Sequence, residues 1–203
     1  MSNPYISEIV RQINLARTDP LSFIPDVSSG KFTPSDKAET IAFLRTQKPM
    51  NTLVNDPYLN TQSQLWVDEQ SAVDSTGHGN FSARAAYIEK NIGKFRSISE
   101  NLAYGITRTP GGIPPPHTFS VQAYQGCLTS SSTGKTTCST APVILWSTPR
   151  DIIVEWIVDP GIPDRGHRLN IYKPNTQIGV GYGPHPTYRW EVANMYALDF
   201  KPI

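Results

Sequence analysis

The sequence predicts an α+β fold in which helices lead and a small, mostly antiparallel sheet follows, on three observations. Helical apolar spacing recurs behind four short polar residues that are each followed by proline. Alternating apolar residues run through the last third, where "GPHPT" reads as a hairpin turn. No internal repeat and no sharp change of composition divides the 203 residues, so one domain spanning 1–203 is expected.

The four polar–proline pairs are Asn3-Pro4, Thr33-Pro34, Asp56-Pro57 and Thr148-Pro149. A short polar side chain caps the free N–H groups of a first turn, and proline at the first helical position forfeits no hydrogen bond. Behind the first pair, Ile6, Ile9, Val10, Ile13 and Ala16 share one face until "TDP" stops the run. Ile41, Phe43 and Leu44 mark a shorter second helix. Leu59, Leu65, Trp66, Ala72 and Val73 mark a third reaching about Asp74. The fourth buries Ile152, Ile153, Trp156 and Ile157, and Pro160 biases Asp159 out of the helical region.

Strands are expected at "TQIGVGYG", at "YRWEVANMYALDF" and near "SISENLAYG". The glycines of "GVGYG" alternate with Ile178, Val180 and Tyr182, which favours close strand packing over phosphate binding. Residues 107–145 show no periodicity and read as a surface excursion. Cys127 and Cys138 lie within it, in a Ser/Thr/Gly-rich stretch better suited to a disulfide than to two free thiols. A disulfide implies an oxidising compartment.

A net charge of +1 without any basic run leaves no footprint for nucleic acid. No apolar stretch is long enough to span a bilayer, and "MSNPYISEIV" lacks the apolar core of a signal peptide. Sequence signatures of P-loops, nucleophile elbows, dinucleotide folds and H-E-x-x-H zinc sites are absent.

Chemistry-bearing residues at element ends are His78, Glu100, Glu155, Asp159 and His167. Two imidazoles and two carboxylates suffice for Zn²⁺ or another divalent metal, and equally for general acid–base work on water. Each also has an ordinary structural reading: His78 at a helix C-terminus, Glu100 on a solvent face, Asp159 as a turn former. Spacing alone does not bring them together.

The stretches "SENLAYG" and "DRGHRLNIYKPNTQIGVGYG", with Asn14 and Arg17 on the first helix, resemble the CAP superfamily. This is the family of cysteine-rich secretory, antigen 5 and pathogenesis-related proteins, also called SCP-like domains. "IVDPGIPDRGHRLNIYKPN" is similar to its microbial or protist branch. The resemblance runs from about Ile6 to Leu198 and implies a three-layer α-β-α sandwich with a central cleft. It assigns His78, Glu100, Asp159 and His167 to that cleft as a metal set. Asp159 stands where the family's Trp-x-x-Glu pattern has Glu, and Glu155 is the alternative fourth acid.

The resemblance further implies a secreted, extracellular monomer whose leader has been removed. Its expected role is non-catalytic binding of a divalent metal and of a lipid, sterol or extracellular protein partner. The alternative is a metal-assisted, peptidase-like hydrolase with Glu100 as general base on a zinc-bound water.

Overall fold

The helices that begin behind Asn3, Thr33, Asp56 and Thr148 each start on a side chain that reaches its own first turn. The computed structural model describes residues 3–105, 126–129, 136–139, 148–188 and 190–203, with 126–129, 136–139 and Trp190 described by backbone alone. The first part of the chain forms α1 (Pro4–Thr18), a 3-10 turn over Pro20–Phe23, α2 (Ile24–Ser29) and α3 (Pro34–Thr46). A two-residue strand β1 (Val54–Asn55) then precedes α4 (Pro57–Val73) and α5 (Phe81–Asn91). Strands β2 (Gly93–Lys94), β3 (Ser97–Gly105), β4 (Gly126–Thr129) and β5 (Thr136–Ser139) follow. The chain ends with α6 (Pro149–Val158), α7 (Gly166–Tyr172), β6 (Gln177–Gly183), β7 (Trp190–Leu198) and β8 (Lys201–Pro202).

Asn3 accepts from the Tyr5 N–H, Thr33 from Asp36, and Asp56 from Tyr58 and Leu59. Thr148 and Asp151 bond each other's backbone N–H groups in a full capping box. Helix α5 has no counterpart among the four expected helices. It buries only Ile88, so its apolar periodicity is too thin to read, and its N-cap is Asn80 without a following proline.

The central sheet has the order β1-β6-β7-β3, with β1 parallel to β6 and the other pairs antiparallel. Its two faces carry different layers. Ile178, Val180, Val192, Tyr196 and Ala103 face a core built with α1, α2, α3, α6 and α7. Ala193, Met195, Ala197 and Leu102 face α4 and α5 through Leu59, Trp66, Val67 and Ile88. Residues 192, 194 and 196 thus point one way and 193, 195 and 197 the other, as a strand's period of two requires. The result is an α-β-α sandwich.

The glycines of β6 set the spacing of the second layer. A Cβ on Gly179 would lie 2.1 Å from the Leu59 backbone, and one on Gly181 2.5 Å from that of Ser63. Helix α4 therefore rests directly on the strand backbone, which only glycine permits.

Of the 107–145 excursion, only β4 and β5 fall within the described residues. They pair antiparallel with Cys127 opposite Cys138. The cysteine side chains lie outside what is described.

Candidate functional site

Four of the five singled-out residues gather at the outer strand β3, and they do so as two pairs. His78 comes from the loop between α4 and α5. Asp74 ends α4 in the left-handed conformation, and Gly77 and Gly79 both have positive φ, 93° and 49°. A Cβ on Gly79 would stand 2.6 Å from the Trp66 ring, so the loop folds tightly over that indole. The loop is tied to the sheet where the Gly77 N–H donates to the Tyr104 hydroxyl at 2.8 Å.

Glu100 sits mid-strand on β3, opposite Met195 of β7, with its side chain only 1% exposed. The solvent-face reading of this residue does not hold, because β3 presents it to the α4–α5 layer. The His78 Nδ1 lies 2.9 Å from Glu100 Oε1, while the imidazole itself is half exposed. Arg84, which sequence reasoning did not single out, reaches both Glu100 oxygens with Nη2 at 2.7 Å. Its Nη1 donates to the His78 carbonyl at 2.8 Å. The guanidinium lies 3.7 Å above the Trp66 ring.

The second pair arises from the turn between α6 and α7. Asp159 ends α6 at φ 54°, a left-handed geometry that Asp tolerates better than most residues. Gly161 at φ 79° and Arg165 at φ 52° complete the reversal. Arg165 occupies the N-cap of α7 and supplies no capping side chain. Asp159 does so from eight residues upstream: its Oδ2 accepts the His167 N–H at 2.9 Å and its Oδ1 meets His167 Nδ1 at 2.7 Å. One buried carboxylate thus fixes both the helix start and the imidazole.

The two arginines that flank His167 anchor this segment to α3. Arg165 pairs with Asp36 at 2.9 Å, and Arg168 pairs with Glu39 and donates to the Thr40 hydroxyl. Behind the site, Trp156 Nε1 donates to the Leu102 carbonyl at 3.0 Å, and Asn170 Nδ2 to that of Glu100 at 3.2 Å. These bonds occupy edge carbonyls of β3 that no further strand covers among the described residues. Asn101 Nδ2 holds the His167 carbonyl at 3.1 Å.

Glu155 does not join either pair. It lies one turn before Asp159, where burial first and the Asp159 charge second push its carboxyl up to about 7. The two imidazole centres stand 6.5 Å apart with their planes at 30°. Among the described residues no three His, Cys, Asp or Glu side chains converge as a metal cluster. With each carboxylate engaged at an Nδ1, what the pairs offer a ligand is the second nitrogen of each ring.

One further buried carboxyl escaped sequence reasoning. Glu191 on β7 is fully buried and hydrogen-bonded to Gln70 Nε2. Gln70 Oε1 in turn accepts from the Tyr104 hydroxyl at 2.7 Å, the same hydroxyl that holds Gly77. Burial, then the Glu100 charge, raises the Glu191 carboxyl to about 8. Only its place on the sheet face under α4 reveals it.

The molecule is thus an α-β-α sandwich with two carboxylate-bound histidines at one edge of its sheet. No family model matches the sequence, and no curated protein matches it. Among solved structures it is similar to an extracellular protein containing an SCP domain from Bacillus anthracis str. Ames, at 15% identity and a TM-score of 0.43. The match covers 84% of this chain and 45% of that one, so the chain spans less than half of that protein's length. No helix among the described residues is long and apolar enough to cross a membrane.

Proposed function

We propose that this chain is an extracellular CAP-type domain acting as a non-catalytic binding protein, whose cleft takes a divalent cation such as Zn²⁺ on His78 and His167. One observation carries the reading: each imidazole has its Nδ1 against a buried carboxylate, 2.9 Å for His78–Glu100 and 2.7 Å for His167–Asp159. Metal-binding histidines are held this way, because a carboxylate on one ring nitrogen fixes the tautomer and raises the basicity of the other. Glu100 and Asp159 then support the ligands instead of joining them.

The donor set fits a borderline ion. Zn–N bonds of about 2.1 Å in tetrahedral geometry place the centres of two imidazoles that share one ion roughly 5.3 Å apart. The observed 6.5 Å is wider, so sharing one ion requires the half-exposed His78 ring to move toward His167. A bound cation would supply positive charge and open coordination positions to a ligand's oxygen atoms.

Calorimetric titration of the protein with zinc tests this. One ion per chain is expected, lost in His78→Ala and in His167→Ala. An absence of binding to the unaltered chain sinks the proposal.

The hydrolase reading asks Glu100 to accept a proton from water. Arg84 contacts both of its oxygens and His78 one of them, which leaves a poor base. Chelator-sensitive turnover that disappears in Glu100→Gln would favour hydrolysis instead.

The reading includes a Cys127–Cys138 disulfide, supported by the directly opposed register of β4 and β5. Opposed Cα atoms of an antiparallel pair lie about 4.5–5.5 Å apart, within the span of a disulfide. An intact mass about 2 Da below that of the reduced chain is expected without reductant.

A further inference from the structure

We propose that Arg84 is the positioning residue of this site, holding Glu100 as the partner of the His78 ring and so deciding which His78 nitrogen faces a ligand. The inference rests on the metal reading above and adds a residue and a mechanism to it.

Three contacts make the case. Arg84 is the cation that meets the Glu100 carboxylate, touching Oε1 and Oε2 at 2.7 Å each. A carboxylate with a side chain 1% exposed requires such a partner, since an uncompensated buried charge is costly. The second arm of the same guanidinium bonds the His78 carbonyl at 2.8 Å. One side chain therefore fixes both members of the pair, the carboxylate by charge and the histidine by its backbone. The third contact is the indole of Trp66, 3.7 Å beneath the guanidinium plane, which sets where the arms point. Trp66 is itself the residue over which Gly79 folds the His78 loop.

The consequence concerns the tautomer. An ionised carboxylate only accepts hydrogen bonds. Paired with Arg84, Glu100 draws the proton of His78 to Nδ1 and leaves the lone pair of the half-exposed ring on Nε2. Without the guanidinium the carboxylate loses the two bonds that fix its position against the ring, and that preference weakens. Lysine keeps the charge but cannot reach the carboxylate and the carbonyl with two arms or stack equally on indole. His167 takes its orientation from Asp159, and the hydrogen bonds of Arg84 go to His78 and Glu100 instead, so it serves as an internal control.

The test is ¹⁵N NMR of the imidazoles in metal-free protein at alkaline pH, joined to zinc calorimetry. In the unaltered chain His78 is expected as the Nδ1–H tautomer. Arg84→Gln should shift His78 toward Nε2–H, leave the His167 signals in place, and weaken zinc binding roughly 10–100-fold. Arg84→Lys should fall between, and it carries the test if Arg84→Gln does not fold. Unchanged His78 tautomer and zinc affinity in the folded variants overturn the role of Arg84. If the tautomer shifts but the unaltered chain binds no zinc, the metal reading fails and the positioning role stands.

Discussion

Arg17 is a buried cation that no acid among the described residues neutralises. Only 1% exposed, it donates to the carbonyls of Asn51, Ile171, Lys173 and Asn175. Ile171 and Lys173 belong to the C-terminal end of α7, where carbonyls left unpaired by the helix carry partial negative charge. The residue therefore joins α1 to α7 and to the segment before β1. Beside it, Asn14 bonds both the N–H and the carbonyl of Leu53. Arg17→Met strands four carbonyls, those of the buried Ile171 and Asn175 among them, and is expected to cost about 3–5 kcal/mol, read by urea unfolding. Glu191 shows the opposite case, a buried acid favoured as the neutral form. Its folded pKa of about 8 lies above the unfolded value of 4.5, so the native state binds the extra proton. That contribution to stability is complete below the unfolded value and is lost as pH rises toward 8. Glu191→Gln should remove this slope and raise the melting temperature relative to the unaltered chain above pH 8, checked by thermal melts from pH 5 to 9.

Elements are held together here by what side chains omit as much as by what they add. Gly179 and Gly181 let α4 lie on β6, and a methyl group on Gly181 would meet the Ser63 carbonyl at 2.5 Å. Gly181→Ala should displace the helix, cost about 1–3 kcal/mol or more, and disturb the His78 loop that α4 leads into. Chemical-shift changes that spread from Ser63 to His78 would show it. At the other end, Asp159 combines three tasks that two substitutions separate. Asn retains the left-handed conformation and the α7 cap, whereas Ala loses both. Asp159→Ala is expected to cost about 1–3 kcal/mol and Asp159→Asn less, while both release the His167 ring, as unfolding and ¹⁵N spectra can verify. The helix starts were legible in the sequence because a cap and its N–H partners lie within three residues of each other. Helix α5 was not, since its single buried residue leaves no stripe and its Arg84 works on a strand that follows later in the chain.

At the scale of the molecule, the two histidine pairs come from opposite layers of the sandwich and meet only at the β3 edge. His78 belongs to the α4–α5 side and His167 to the α6–α7 side. A cation bound by both would tie the two layers together and stabilise the native state by mass action. At zinc concentrations one hundred times the dissociation constant, about 2.7 kcal/mol of added stability is expected, with none in His78→Ala. Calorimetric melts with and without zinc check this. What the sequence determined by itself was local: four capped helix starts, the glycine–aliphatic alternation of β6, the place of β3, and the reversal that ends α6 at Asp159. These follow from the conformational limits of proline and glycine and from hydrogen bonds that span a few residues. The tertiary structure alone decided the partners across the sheet. It set Arg84 on Glu100 and Glu191 beneath α4, and it placed Asp159, not Glu155, against His167. Such choices depend on which face of a strand meets which helix and how closely, and packing distances between segments far apart in the chain are written in no single stretch of it.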